Sequence, residues 1–492
     1  MLFFILPELA VATLAISLCT RFVYNLFFHP LHIYPGPKLW AVSRIPYIRC
    51  YLSGHAHRVI LDLHLRYGPV VRIAPDELSY SHPDAWKDIM GHQPSPRREN
   101  EKDAIFFPEE LHGGIIDAKT DNHRRMRRIL SQSFSMKALR QQEVILQQYM
   151  DVLMSRLREQ CARGNRTHDI SLWFNWTTFD ATSNLAFGES FQCLKNGRFN
   201  SFVDLIFQAA KAAAFRVCAV RYSFLAPLLS LLIPRKTRQV MKEHYRWSEE
   251  RISAILSSGK QHLFLGADAG DESLSYAEAV ATSNTLIFAG AETTGTALSA
   301  AVFYLAKNTR AYEKLMREVR STFSTEDQIN ITSVQTLQYM SAVLNETLRM
   351  YPPVPSGIPR RICKSGNVVL GQYVPEDTIV SIWQWSLYRN PAFFSSPDDF
   401  LPERWLENAT CATVSKKAFQ PFSYGPRDCI GKYLANAEMR LVLSRLILNF
   451  DFELAEGHGD WEDKSEVYIL WDKGPLPVCL TTRGASNRPD SQ

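Results

Sequence analysis

Apolar positions recur along most of this chain at helical spacing, with only short stretches of alternation. Leu2 to Thr20 is almost wholly apolar, broken by Pro7 and Glu8, and Phe22 to Phe28 can extend it. A helical period from Ala56 to Tyr67 stops at Gly68-Pro69. Val70–Ala74 and Glu77–Ser81 then predict a small hairpin. Residues 91–117 hold Pro94, Pro96, Pro108, Gly113 and Gly114, which predicts a long irregular loop of the functional or mobile kind.

Helical spacing returns over Asn122–Arg163 and Phe202–Ser257, then breaks at the polar segment Gly266–Asp271. The longest predicted helix, Tyr276–Asn308, follows, with Ser275 and Glu278 placed as its capping box. Two further helices are predicted over Ala311–Thr322 and Tyr339–Tyr351, and short strands over 367–383. A proline-rich meander runs from Pro391, and an apolar helical run covers Lys432–Phe450. The tail Gly484–Gln492 is polar and predicted disordered. The pattern describes one mainly α body with a small β region, without internal repeats.

Charge changes the reading of the N-terminus. No basic residue precedes the apolar run, whereas Arg21, Lys38, Arg44 and Arg49 follow it. That bias predicts a single-pass anchor over residues 1–28 with the body on the cytoplasmic side, a signal peptide being the weaker alternative. Residues 29–50, containing Pro30-Leu-His-Ile-Tyr-Pro-Gly-Pro37, form a stiff proline-rich hinge. The body is assigned to 51–483 and the tail to 484–492.

The net charge of +5 on 492 residues excludes a global field aimed at nucleic acid. Nine scattered cysteines with no C-x-x-C pair argue against a disulfide framework or a zinc site. Asparagine sequons at 165, 175, 330, 345 and 408 are read as chance, because a cytoplasmic body does not meet the glycosylation machinery.

The densest chemistry lies in Phe422-Ser-Tyr-Gly425-Pro-Arg427-Asp-Cys429-Ile-Gly431. Cys429 sits on a glycine-bounded loop before a helix, whose N–H groups favour a thiolate. Gly425 and Gly431 allow turns and close approach, Phe422 can cover the sulfur, and Arg427 can reach an anion. The arrangement suits a metal with one soft axial ligand. An isolated cysteine would be read instead as a buried structural residue.

The loop resembles the haem-ligating signature of the cytochrome P-450 family, Phe-x-x-Gly-x-Arg-x-Cys-x-Gly, at all five fixed positions. The resemblance implies the cytochrome P-450 fold, haem b (iron protoporphyrin IX) and Cys429 as axial ligand. Asn25-Leu-Phe-Phe-His-Pro and Tyr34-Pro-Gly-Pro resemble the hinge of filamentous-fungal microsomal members.

Ala289-Gly290-Ala291-Glu292-Thr293-Thr294 lies mid-helix. Glycine and two threonines there weaken the helix and divert its carbonyls, opening a polar notch; alone, the stretch would be a helix-packing contact. It resembles the family's oxygen-activation motif. The resemblance implies that Thr293 bonds the distal oxygen, that Glu292 gates proton delivery, and that Ala289 and Gly290 leave room for porphyrin and dioxygen.

Glu346-Thr-Leu-Arg349 places opposite charges on one helical face. With Arg404 of Pro402-Glu-Arg-Trp405 it resembles the family's charge lock, Trp405 replacing the usual phenylalanine. The implied role is structural, holding the meander behind the cysteine loop. His123 stands where the family has tryptophan, and Arg127 occupies the matching arginine position. Arg361 is the favoured further propionate partner with Arg427, adjacent Arg360 being the alternative. Arg124, Arg125 and Arg128 are left to face an acidic redox partner.

The resemblance implies a haem-thiolate monooxygenase of fungal secondary metabolism. It would insert one atom of O2 into a small hydrophobic terpenoid or polyketide substrate. Electrons would come from NADPH through a cytochrome reductase, with cytochrome b5 as an optional second donor, at the endoplasmic reticulum membrane. Pocket contacts are expected from the 91–117 loop, Phe202–Arg221, Asn284–Ala289, Val354–Ile358 and the segment near Leu470. The rivals are the same fold catalysing oxidative rearrangement, dehydration or coupling, and a haem-binding sensor or carrier without turnover.

Overall fold

A computed structural model describes residues 2–93, 99–107, 113–198, 213–222, 239, 246, 249–250, 252–254, 273–407 and 414–483. The expected helices over Ala56–Tyr67 and Tyr276–Asn308 appear as α2 (Ala56–Tyr67) and α6 (Tyr276–Lys307), following α1 (Leu2–Phe27). The capping box forms: Glu278 N–H donates to Ser275 Oγ at 3.3 Å and Ser275 N–H to Glu278 Oε2 at 2.9 Å. The Asn122–Arg163 helical stretch is two elements, α3 (Thr120–Ser131) and α4 (Met136–Ala162), because Ser135 caps the second through Ala138 N–H.

The helix α5 (Ile170–Phe187) is absent from the periodicity. Nearly all its side chains are buried, polar Asn175, Thr177, Thr178, Asp180, Thr182 and Ser183 included. A helix buried all round has no polar face to set a period. The Thr177, Thr178 and Ser183 hydroxyls and Asp180 instead bond backbone groups, Asp180 receiving Cys193 and Leu194 N–H at 3.0 and 2.8 Å.

The helices α7 (Thr309–Thr322), α8 (Gln338–Met350) and α9 (Lys432–Asn449) complete the helical body. One large core joins α4, α5, α6, α8 and α9. Among the described residues, α6 is the helix long and apolar enough to cross a membrane, but 78% of its apolar window is buried inside the body. It is a core helix.

The β region is small. A five-stranded sheet has the order β1 (Val70–Ala74), β2 (Glu77–Tyr80), β8 (Ile379–Ile382), β5 (Arg360–Arg361) and β3 (Glu101–Lys102). The expected hairpin is β1–β2, and β2 pairs in parallel with β8, Glu77 opposite Ile379. The expected 367–383 strands are the hairpin β6 (Asn367–Val369) with β7 (Gln372–Val374), plus β8. A sheet not anticipated orders β4 (Thr167–Asp169), β12 (Pro477–Thr482) and β9 (Phe450–Leu454), tying the C-terminal segment to α5. A last short hairpin pairs β10 (Glu466–Val467) with β11 (Trp471–Asp472).

The 91–117 loop carries β3, so it is not wholly irregular. Gly266–Asp271, Asn408, the tail 484–492 and most of Phe202–Ser257 lie outside the described residues. The hinge segment is bound to the body, the Arg72 N–H donating to the Pro35 carbonyl at 2.7 Å. Buried Arg72 donates to the Asn25 carbonyl at 2.8 Å, and Asn25 Nδ2 to the Val42 carbonyl at 3.1 Å.

Candidate active site

The cysteine loop is held by its own backbone. Cys429 N–H donates to the Phe422 carbonyl at 2.8 Å, closing the loop on itself. Gly425 has φ +80°, and a Cβ there would lie 2.1 Å from the Met90 carbonyl oxygen, so only glycine fits. Gly431 differs from expectation: its φ of −86° is ordinary, and a Cβ would meet only Phe134 Cε1 at 4.0 Å. Its backbone N–H, at the start of α9, draws the Cys429 thiol downward. Phe422 is half-buried against the main core.

Cys429 is exposed, yet protein surrounds it deeply enough for desolvation to push its thiol upward. The Gly431 N–H and the Arg127 charge act the other way and favour thiolate.

The longest helix is partly accessible at mid-length. Thr285, Phe288, Ala289 and Thr293 are partly accessible in the middle of an otherwise buried α6. Their four-residue spacing puts them on one face. Thr293 Oγ1 donates to the Ala289 carbonyl at 2.6 Å, the diversion expected of a mid-helix threonine. Gly290 serves a neighbour: a Cβ there would lie 3.1 Å from Thr182 Cγ2 of α5, so its small size lets the two helices approach. Thr178 Oγ1 of α5 bonds the Ala291 carbonyl at 2.9 Å in the same contact.

Glu292 is buried and ion-paired with Lys473, a partner with no local sequence signal because it lies 181 positions away. Thr296 Oγ1 donates to the same oxygen, Oε1, at 3.1 Å. Burial pushes the Glu292 carboxyl up while Lys473 pulls it down. Nearby, the buried Glu438 of α9 lies beside Thr294 and is pushed up to about 8 by burial.

Basic side chains crowd one end of the cysteine loop. His123 is buried and pushed down to about 3, by burial first and then by Arg427, Lys102, Arg127 and Arg360. Arg360 is pushed to about 9 by burial and by Arg427. Lys102 is driven well below its ordinary value by burial, Arg360 and Arg427. Arg427 donates to the Ala118 carbonyl at 2.8 Å and to Glu101 at 3.3 Å. Its Nε and Arg360 Nη1 are buried with no hydrogen-bond partner among the described residues.

Mutually repelling buried cations with unsatisfied N–H groups call for anions. The two propionates of haem would supply two, so the donor set fits that group.

Two basic residues lie elsewhere than expected. Arg361 is partly exposed and pairs with buried Asp103 at 2.7 Å, whereas its neighbour Arg360 enters the cationic cluster. Side chains alternate across a strand, so β5 sends adjacent arginines to opposite faces. Arg127 reaches the loop itself, Nη2 meeting Asp428 Oδ1 at 2.5 Å. Arg125 is engaged by the capping residue Glu278, leaving Arg124 and Arg128 as the exposed members of the basic run.

The charge lock forms as one buried unit. Glu346 Oε1 accepts from Arg349 Nη2 at 2.8 Å, Arg404 Nε at 3.0 Å and Leu401 N–H at 2.9 Å. Oε2 accepts from Arg349 Nε at 3.0 Å and from the Trp405 indole at 2.9 Å. The tryptophan that departs from the family pattern thus adds a donor that phenylalanine lacks. Of the expected pocket segments, the 91–117 loop meets the end of Phe202–Arg221 through Asp103 and Arg221, and Ser356 bonds the Ile469 carbonyl at 2.8 Å.

The family model described as Cytochrome P-450 matches residues 34–480. Trichothecene C-15 hydroxylase of Fusarium sporotrichioides is 42% identical over 94% of this chain and 95% of its own length. Averantin hydroxylase of Dothistroma septosporum is 40% identical over 94% and 89%. A cytochrome P-450 monooxygenase of Aspergillus oryzae is 40% identical over 98% and 99%. With its cysteine loop, notched helix and charge lock in one body, the chain belongs to the cytochrome P-450 family and is a haem-thiolate monooxygenase.

Proposed function

We propose that this monooxygenase hydroxylates a small hydrophobic terpenoid or polyketide intermediate in a fungal secondary-metabolite pathway, with Cys429 as the axial ligand of haem b. The observation that carries the site assignment is exposed Cys429 on a loop closed by its N–H bond to the Phe422 carbonyl, with buried Arg427 Nε of the same loop and Arg360 Nη1 left without hydrogen-bond partners among the described residues. The relatives named for trichothecene and averantin support the substrate class. Haem b, when bound, supplies the activation of dioxygen.

The chain's own residues do the rest. Arg427, Arg360, Lys102 and His123 hold the two propionates, with Arg360 taking the place expected of Arg361. Arg127 steadies the loop through Asp428, Gly431 supports the thiolate, and Phe422 covers the sulfur. Thr293, half-accessible on α6, would present its hydroxyl toward the haem site, and Glu292 would hold a proton for relay. Glu346, Arg349 and Arg404 lock the meander.

α1 is proposed as a single-pass anchor in the endoplasmic reticulum membrane, residues 29–50 as its hinge, and the body as cytoplasmic. Exposed Ile16, Phe22, Val23, Phe27 and Phe28 support this, because such an apolar surface is unfavourable in water. Exposed Arg124 and Arg128 suit the acidic face of an NADPH–cytochrome reductase, or of cytochrome b5.

The test is Cys429→Ser in the full-length protein. The thiolate-specific Soret band of the reduced carbon-monoxide complex is expected to vanish, and NADPH-driven oxygenation with it. A surviving band would show that another residue ligates the iron.

A further inference from the structure

Glu292 binds its partners unevenly. Lys473 and Thr296 both bond Oε1, whereas Oε2 is buried with no partner among the described residues. The carboxylate therefore has one oxygen tied to two donors and one buried without a donor among the described residues.

Lys473 lies between two segments anchored by hydrogen bonds and ring stacking. Two residues earlier, the Trp471 indole donates to the Pro352 carbonyl at 2.8 Å. The Trp471 ring stacks on Tyr351 at 4.0 Å, and Tyr351 stacks on Trp461 at 5.2 Å. Three residues later, Leu476 N–H donates to Asp169 at 2.9 Å and the Leu476 carbonyl accepts from Ile170 N–H at 3.0 Å. Lys473 is thus pinned on both sides, with a side chain only 5% exposed. A flexible ammonium held this way loses little further entropy on pairing.

We propose that Lys473 is the positioning residue of the proton relay: its ammonium holds Oε1 of Glu292 and leaves Oε2 as the oxygen that gives and regains the proton. The inference rests on the reading of Glu292 as relay acid. The other groups facing this carboxylate are Thr296 of α6, Asp472 beside Lys473, and Tyr351 at the end of α8. Asp472 opposes ionisation and the Tyr351 phenol stays neutral through burial, so Lys473 is the cation that favours the charged form.

The test compares Lys473→Met, Lys473→Arg, Glu292→Gln and the Lys473→Met/Glu292→Gln double variant as full-length haem-loaded proteins. Two readouts are followed: the pH profile of NADPH-to-product coupling, and the Glu292 carboxyl infrared band during titration of the resting protein without turnover. Lys473→Met should raise both apparent pKa values by about one to three units, because a nearby cation is lost. Lys473→Arg should restore most of the shift, and with glutamine at 292 the lysine change should add nothing.

An unmoved band and profile in Lys473→Met, with Glu292→Gln still uncoupled, overturns this inference and leaves the relay intact. Full coupling in Glu292→Gln overturns the relay and the inference together. If Lys473→Met fails to accumulate, the double variant decides. Recovery there supports the charge pairing, and a second failure shows that Lys473 serves packing instead.

Discussion

Arg404 reaches across from the meander to Glu346 of α8, its Nε 3.0 Å from the Oε1 that Arg349 also binds, and all three side chains are fully buried. Both guanidinium groups continue onto main-chain carbonyls: Arg349 onto Tyr388 and Pro397, Arg404 onto Ser395 and Ser396. One carboxylate therefore organises the meander from both sides.

Removing one member strands buried charge. Arg404→Leu or Glu346→Ala should destabilise the body by about 3–5 kcal/mol and prevent haem-loaded protein from accumulating. Trp405→Phe removes only the indole donor and should cost about 1–3 kcal/mol, leaving holoprotein. Haem content per protein and thermal unfolding check both, and equal losses in the two classes would contradict the lock.

Arg360 and Arg361 are adjacent but lie in different environments. Arg360→Leu should speed haem loss roughly ten- to hundred-fold, the equivalent of one charge-assisted bond. Arg361→Leu releases Asp103 to its other partner, Arg221, and should change haem loss far less. Transfer of haem to an excess of apomyoglobin gives the rates. A reversed order would return the propionate role to Arg361.

Thr293 is accessible and already bonded to the Ala289 carbonyl, so its loss should disturb the helix little. Thr293→Ala is expected to consume NADPH at a comparable rate while releasing peroxide in place of product. Thr293→Ser keeps the hydroxyl and should stay coupled. The measurement is the ratio of product and peroxide to NADPH, and a fully coupled alanine variant would remove Thr293 from the relay.

Acid should weaken the fold through histidines remote from the cysteine loop. Burial holds His57 down to about 3, and holds His64 down to about 4 despite its bond to the Gly68 carbonyl. Both folded values lie below the unfolded value, about 6.5, so the unfolded chain takes up protons first. Stability present above pH ~6.5 is then lost as the pH falls toward 4, by about 1.4 kcal/mol per pH unit for each histidine. His64→Gln should flatten that slope by one histidine's share in unfolding measured across the range. An unchanged slope would mean that His64 protonates in the folded state.

Chemistry read best where it is local. Cys429, Gly425 and Arg427 lie on one short loop, and Glu292 with Thr293 on one helical turn, so spacing alone brought each set together. The capping box at Ser275 and Glu278 was legible for the same reason. α5 was not, because burial on every side erases the polar face that periodicity needs. Arg361 was favoured over Arg360 because residue type cannot say which face of a two-residue strand points inward.

By itself, then, the amino-acid sequence determined the ligand loop, the notched helix and the mainly helical class, since these depend on neighbours within a few residues. Tertiary structure alone decided that Lys473 holds Glu292, that Arg360 and Lys102 join His123 and Arg427, and that Thr182 occupies the space beside Gly290. Those relations join segments far apart in the chain. Their energies arise from desolvation and charge proximity, which exist only after the core has closed around them.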